Sequence, residues 1–211
     1  MAKGQCTWEG GKMRAIGMIL ASGLVGSFVG VFTAVFFSGL LPGQVGLGDR
    51  IDVDGWKSNW SIGTEALDPY TKVWVSRYGL LALRRTEAVY FTKTKDSEGR
   101  SLTEGCAYQL HGGELPGSWW SITVYDSEGY LPDNEDGHLS VDAKLIGDQA
   151  SWQVALAGKE PEDSEYWIST KGAGRFDVTL RIYLPKNSLL ADPEATLTPP
   201  EVKRISCEIG S

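Results

Sequence analysis

The chain has 211 residues and a formal net charge of −7, with 42% hydrophobic and 10% aromatic residues. Setting aside the +2 carried by Lys3, Lys12 and Arg14 against Glu9 leaves −9 on everything that follows Arg14. An acidic body of this kind repels phosphate backbones and anionic headgroups, which argues against nucleic acid and peripheral lipid as its partners.

The first element is the run from Ala15 to Leu41, AIGMILASGLVGSFVGVFTAVFFSGLL, without one charged side chain. As a helix it reaches about 40 Å at ~1.5 Å per residue, against a hydrocarbon core roughly 30 Å thick. Lys3, Lys12 and Arg14 precede it, and Asp49, Asp52 and Asp54 crowd its far side. The positive-inside rule therefore predicts a cytoplasmic N-terminus and an outward-facing remainder. The rival reading is a cleaved signal peptide, whose apolar region is only ~7–15 residues long. Ser38 and Gly39 make a poor cleavage site, and with either reading the rest of the chain lies outside the cytoplasm. Ser22, Gly26 and Gly30 share one helix face, a spacing that lets two spans approach closely as a homo-oligomer; the alternative is that glycine is simply common in membrane helices. The expected organisation is a cytoplasmic N-terminus (1–14), a transmembrane helix (15–41), a linker (42–55) and one β-sandwich domain (56–211).

Within that domain, Trp56 and Trp60 stand four apart in an irregular stretch. Asp68-Pro69 opens a predicted helix through Tyr78, with Gly79 as its stop. The pattern then turns to β. Ala88 to Phe91 is a strand, Asp96 to Gly99 a turn, and Ala107 to His111 a second strand stopped by Gly112-Gly113. Ser118 to Tyr125 alternates: Trp120, Ile122 and Val124 face the core, and Trp119, Ser121, Thr123 and Tyr125 the other way. Asp126 to Gly137 is a polar insertion. Further strands are predicted at Ser151–Ala157, at Tyr166–Ile168 and at Arg175–Leu184, the last with Phe176, Val178, Leu180, Ile182 and Leu184 inward. A helical turn within Ser188–Ala195 and a final edge strand at Val202–Cys207 complete the chain. Many short strands with a single short helix predict a mainly β, antiparallel sandwich.

The runs DPYTKVWVSRYGLLAL, EAVYFTKTKDSEGRSL, ELPGSWWSITVYDSEGYLPDN and GRFDVTLRIYLP are similar to the bacterial domain-of-unknown-function family 1214, continuously from about Trp56 to Ile205. The order Trp119-Trp120-Ser121-Ile122-Thr123 through Asp133-Asn134 is the most specific part. The resemblance implies a jelly-roll-like β-sandwich, which short members carry behind one N-terminal membrane helix, and it brings no reaction with it. This chain departs from the family at His138-Leu139-Ser140, where members have Arg-Tyr-Ser, and at Tyr166-Trp167-Ile168-Ser169 in place of Asn-Trp-Leu-Pro.

No stretch carries a catalytic signature. His111 and His138 lack ligand-type neighbours in a metal-binding pattern, and the His-x-His of cupins is absent. No phosphate loop, dinucleotide fingerprint or nucleophile elbow is present, so neither a cofactor nor a metal is expected. Asp126, Asp133 and Asp136 have the chemistry of a glycan hydrolase's carboxylates, with Trp119 and Tyr125 to stack a sugar ring; against this, Asp and Asn fill turns for backbone reasons. Cys106 and Cys207 share the oxidising side of the membrane, where a bridge between them would tie the last strand back to the sheet; two separate buried thiols are the alternative.

The reading is a single-pass inner-membrane protein with a periplasmic β-sandwich that acts as a non-catalytic binding or envelope-assembly module. Its partner, a protein or a glycan, is expected on Trp119, Tyr125, Asp126, Asp133 and Asn134; the alternative is that the predicted helix at 69–78 covers this face, with Trp74 and Tyr78 packed on Trp119. The runner-up is an envelope glycan hydrolase using the Asp126–Asp136 loop. The topology has a direct check. A membrane-impermeant thiol reagent applied to reduced, denatured but unlysed spheroplasts is expected to reach Cys106 or Cys207 and not Cys6; labelling of Cys6 alone reverses the orientation.

Overall fold

The computed structural model describes residues 6–37, 50–63 and 83–207. Helix α1, Cys6–Phe37, contains an apolar segment from Arg14 to Phe36 of 23 residues with mean hydropathy 2.1. By length and composition it suits a membrane anchor or a signal sequence alike. Two of its hydroxyls bond within the helix: Ser22 Oγ donates to the Met18 carbonyl and Thr33 Oγ1 to that of Val29 at 2.8 Å. The helix and the β-domain are separate compact units. The helix predicted over residues 69–78, with Trp74 and Tyr78, lies outside the described residues.

The β-domain is a sandwich of two sheets. The first, six-stranded, has the order β1 (Arg50–Val53), β2 (Trp56–Asn59), β3 (Ala88–Lys93), β9 (Phe176–Tyr183), β5 (Trp119–Asp126) and β6 (Ser140–Asp142). The second, four-stranded, has the order β10 (Glu201–Cys207), β4 (Cys106–Gly113), β7 (Ser151–Ala157) and β8 (Trp167–Ser169). Three short helices connect strands among the described residues: α2 (Ala143–Ile146), α3 (Asn187–Ala191) and α4 (Pro193–Thr196). Asp142 caps the first, its carboxylate accepting from the Lys144 and Leu145 N–H groups.

The core rows follow the predicted parity. Ile122, Val124, Val178, Leu180 and Ile182 are fully buried, and Trp120 is 8% exposed. From the opposite sheet come Tyr108, Leu110, Trp152, Val154 and Leu156. The Trp120 and Trp152 rings stack with centroids 4.8 Å apart, joining the two sheets through one contact.

Several expectations change. The sandwich is not wholly antiparallel, because β7 and β8 pair in parallel, Leu156 opposite Ile168. The sheet also takes in Arg50–Val53, ahead of the expected domain start at Trp56. Asp54 and Gly55 make this possible as a two-residue hairpin turn, both at positive φ (52° and 81°). Gly112-Gly113 does not stop β4 but continues it. Gly112 lies opposite Trp152, and a Cβ there would stand 2.0 Å from the indole. The ring lies over the bare backbone and its Nε1 donates to the Gly113 carbonyl at 3.0 Å. Leu184 does not join the inward row. The strand ends at Tyr183, and Leu184 turns out with φ 45° and 61% exposure just ahead of Pro185.

Two cross-links hold the four-stranded sheet's outer edge. Cys106 and Cys207 face each other across β4 and β10 and are bonded, with Cα atoms 3.9 Å apart. Asp96, buried in the turn after β3, receives Arg100 Nε at 3.0 Å, and Arg204 Nε of β10 stands 2.9 Å from the same oxygen, Oδ2, without the alignment of a hydrogen bond. Burial by itself raises this carboxyl, but hydrogen bonds from Arg100 and from the Glu98 N–H outweigh it and hold it below the ordinary range.

The Trp120–Trp152 contact gives the fold its test. Trp120→Ala is expected to destabilise the domain by about 3–5 kcal/mol, a large share of a typical domain's stability. An unchanged melting temperature would refute the packing.

Candidate functional site

The outward row of the six-stranded sheet is as ordered as the inward one. Pairing of β5 with β9 sets Trp119 opposite Tyr183, Ser121 opposite Arg181, Thr123 opposite Thr179, and Tyr125 opposite Asp177. On the other side of β9, β3 adds Ala88, Tyr90 and Thr92 opposite Tyr183, Arg181 and Thr179. One face thus carries two aromatic–aromatic or aromatic–cation ladders around a single arginine.

Arg181 lies at the centre. Its Nη1 donates to Thr123 Oγ1 at 3.0 Å and its Nη2 to the Tyr125 hydroxyl. The guanidinium carbon sits 5.2 Å from the Tyr125 ring centroid and 6.0 Å from that of Tyr90, so the cation lies between two π faces. Among the described residues no carboxylate comes within ion-pairing distance of it. A guanidinium has five N–H donors, and two are used among the described residues. Toward one end of the face the Trp119 and Tyr183 rings meet at 5.0 Å, with Trp119 36% exposed. Burial raises the Tyr90 phenol, with the Tyr183 phenol acting in the same direction and Arg181 against it.

Toward the other end, Asp177 carries an unusual carboxyl. Burial, reinforced by the charge of Asp126, pushes it up to about 7, against the lowering influence of Thr179 and Arg181. Thr179 Oγ1 donates to it at 3.3 Å and lies 3.1 Å from Thr92 Oγ1. The face is therefore more cationic below neutral pH than above it.

Of the residues expected to form the partner surface, Trp119 and Tyr125 share this face. The loop residues do not join them. Asp126 falls opposite Phe176, on the core-side parity, and its Oδ1 accepts the N–H groups of Glu128 and Tyr130, both at 2.9 Å. Asn134 Nδ2 donates to the Lys171 carbonyl at 2.7 Å, and the Asp133 carbonyl lies beneath Gly172, 3.0 Å from where a Cβ would stand. Asp136 accepts from Ser169 Oγ at 2.6 Å. The contacts of Asn134 and Asp136 close the loop onto β8 and the turn before β9, Asp126 is engaged within its own turn, and Asp133 remains exposed at the loop's surface. His138 stacks on Trp167 with centroids 5.1 Å apart. Among the described residues no group of three or more His, Cys, Asp or Glu side chains is placed to hold a metal ion.

Arg181, Tyr90, Tyr183 and Asp177 did not stand out in the sequence. Their signal was the outward row Asp177-Thr179-Arg181-Tyr183 on β9, which acquires meaning only once β3 and β5 are known to flank that strand.

Residues 87–187 match the family model described as a protein of unknown function, DUF1214, so that stretch is a domain of that family. No curated protein matches the chain. Among solved structures it is similar to the VPA0106 protein of Vibrio parahaemolyticus, with 16% identity and TM-score 0.52 over 65% of this chain and 35% of that one. It is also similar to a putative uncharacterised protein of Burkholderia cenocepacia, with 15% identity and TM-score 0.43 over 56% and 30%. This chain spans about a third of the length of these proteins, and the likeness to the first shows a shared fold alone.

The Asp177 carboxyl has a measurable consequence. Its folded-state value of about 7 lies above the ordinary 3.8, so the native state binds its proton more tightly than the unfolded chain does. The domain therefore gains stability as pH falls from 7 toward 3.8, and above 7 it bears the full cost of the buried charge. Asp177→Asn, which mimics the protonated form, is expected to stabilise the domain at pH 8 by on the order of 1–3 kcal/mol, the lower end reflecting partial solvent contact. Thermal melts should show that advantage shrinking to nothing by about pH 4. A constant difference across the range overturns the assignment.

Proposed function

We propose that this chain is a membrane-tethered, extracytoplasmic binding module that takes an anionic, hydroxyl-rich glycan on the outer face of its six-stranded sheet. The location rests on two features. The N-terminal helix is apolar over 23 residues, and a disulfide joins Cys106 to Cys207; together they suggest an extracytoplasmic setting. With the charges of the flanking residues, the same features support a cytoplasmic N-terminus and an anchored domain in the bacterial inner membrane.

The observation that carries the ligand class is Arg181, a guanidinium between two tyrosine rings with no carboxylate partner among the described residues. A planar guanidinium with open donors matches a carboxylate in two-pronged geometry, and aromatic rings offer flat apolar faces to a sugar ring. Trp119 and Tyr183 extend that platform by further residues along the same face. The loop carboxylates support neither a cationic ligand nor paired acid–base chemistry, since Asp126 and Asp136 are engaged with their own surroundings.

The test uses polygalacturonate as an acidic glycan and dextran as a neutral one, with the full chain in detergent. Wild-type protein is expected to bind polygalacturonate and to bind dextran far less. Loss of one charge-assisted contact costs about 1.5–3 kcal/mol, so Arg181→Ala should weaken binding roughly 10- to 100-fold. Arg181→Lys retains charge without the fork and should fall between. Equal binding of both polymers, or undiminished binding by a folded Arg181→Ala variant, removes the proposal.

A further inference from the structure

A second site lies away from the Arg181 face, where a cleft of about 690 Å³ opens between the β1–β2 hairpin, the chain leaving β3 and the segment entering β10. Its floor is Lys93. This lysine closes the inward row of β3 after Val89 and Phe91, a position where strand parity calls for an apolar side chain. It is 6% exposed. Nζ donates to the Asp54 carbonyl at 2.5 Å and lies 5.9 Å from the centroid of the Trp56 ring. Trp56 is itself fully buried and fixed by its Nε1, which donates to the Pro200 carbonyl at 2.9 Å. Gly55 leaves the space above the amine open, since a Cβ there would stand 3.4 Å from Nζ.

The cleft also holds Asp52, Asp54 and Glu201 and the exposed lysines Lys57 and Lys95. Yet among the described residues no carboxylate comes within ion-pairing distance of Lys93 Nζ. Asp52 is occupied in accepting the Gly55 N–H at 2.8 Å, and Asp96 with its arginines. The chain thus keeps one largely buried lysine whose amine is held, among the described residues, by a single backbone acceptor and faces a cleft large enough for a small molecule. Where a lysine serves only structure, an ion pair is the ordinary arrangement.

We propose that Lys93 is an amine nucleophile that captures small carbonyl compounds, aldehydes or 2-oxo acids, as an imine within this cleft. Desolvated lysines take this role because the neutral amine, not the ammonium, attacks a carbonyl. Burial pushes the Lys93 amine below its ordinary range, although Asp54, Asp52, Glu201 and Asp96 act against that shift. In the reaction the ammonium first releases one proton to solvent. The Nζ lone pair then forms a bond to the carbonyl carbon while the C=O π pair moves to oxygen. Proton transfer from nitrogen to that oxygen gives a carbinolamine, and loss of water leaves the imine. Nothing is oxidised or reduced.

Glyoxylate with cyanoborohydride is the probe, the hydride reducing the imine carbon to leave a stable secondary amine at Lys93. The full-length protein is treated at pH 7 with limiting glyoxylate, and the adduct is located by peptide mass spectrometry. The peptide bearing Lys93 is expected to be modified before Lys57 or Lys95 carries measurable adduct, and denaturant should abolish that order. The Lys93 rate should reach its plateau at a lower pH than theirs. Lys93→Arg retains a donor for the Asp54 carbonyl and a cation over Trp56, and it should remove the early adduct. Modification of Lys57 or Lys95 first in the folded wild-type protein overturns the proposal, whether or not the variant folds. So does an early adduct that survives in Lys93→Arg. Neither result bears on glycan binding at Arg181.

Discussion

The register between β5 and β9 is the constraint from which both sides of the six-stranded sheet descend. With Ile122 opposite Leu180 and Val124 opposite Val178, the inner row fills the core. The same pairing places Thr123 and Tyr125 within reach of Arg181 on the outer row. Because side chains alternate with a period of two, a slip of one residue would exchange the rows. Arg181 and Asp177 would then enter the core, and Leu180 and Val178 would face outward. The cost of moving the Arg181 guanidinium into the core and taking those aliphatics out of it locks the register. Core packing and the candidate binding face are one decision of the backbone, made twice over.

The charges of the domain fall into two kinds. Asp96 is saturated: two arginines and two backbone N–H groups surround it, and it tethers β10 to the turn after β3. Arg181 and Lys93 are held in place but, among the described residues, left with donors to spare. The first kind stabilises by completing every interaction that a buried ion needs. The second kind retains unused capacity, and this is what the two proposed ligands would engage. Both incomplete ions sit beside aromatic rings, which screen them from water without consuming their hydrogen bonds.

What could be read from the sequence divides along the same line. Alternation is local, so the inner rows of β5, β7 and β9 stand in the residue pattern before any partner strand is known. Pairing is not local. That β9 lies between β3 and β5 joins Tyr90, Arg181 and Tyr125 from three distant parts of the chain, and no window of residues contains that neighbourhood. Some signals were present and weak. Asp54-Gly55 is a strong hairpin pair, but the strands on either side have only four residues each. Lys93 interrupts an apolar row at the core parity, which marks it before the cleft is seen. In the loop after β5, Asp126 and Asn134 have the composition of a ligand site and the geometry of turn caps, and composition alone does not separate the two.

The disulfide also shapes how the domain bears load. A pull arriving through the N-terminal helix enters the sandwich at Arg50, on the outer edge of the six-stranded sheet. There β1 and β2 form a short ribbon whose hydrogen bonds open one pair at a time, like a zipper. Further along, Cys106 and Cys207 bridge a separation of 101 residues. Tension between the two ends of the chain crosses that bond and leaves about 340 Å of extensible polypeptide out of play. If the helix is the anchor proposed above, the segment that carries Arg181 sits behind a covalent shunt, and the ribbon ahead of it has no such protection.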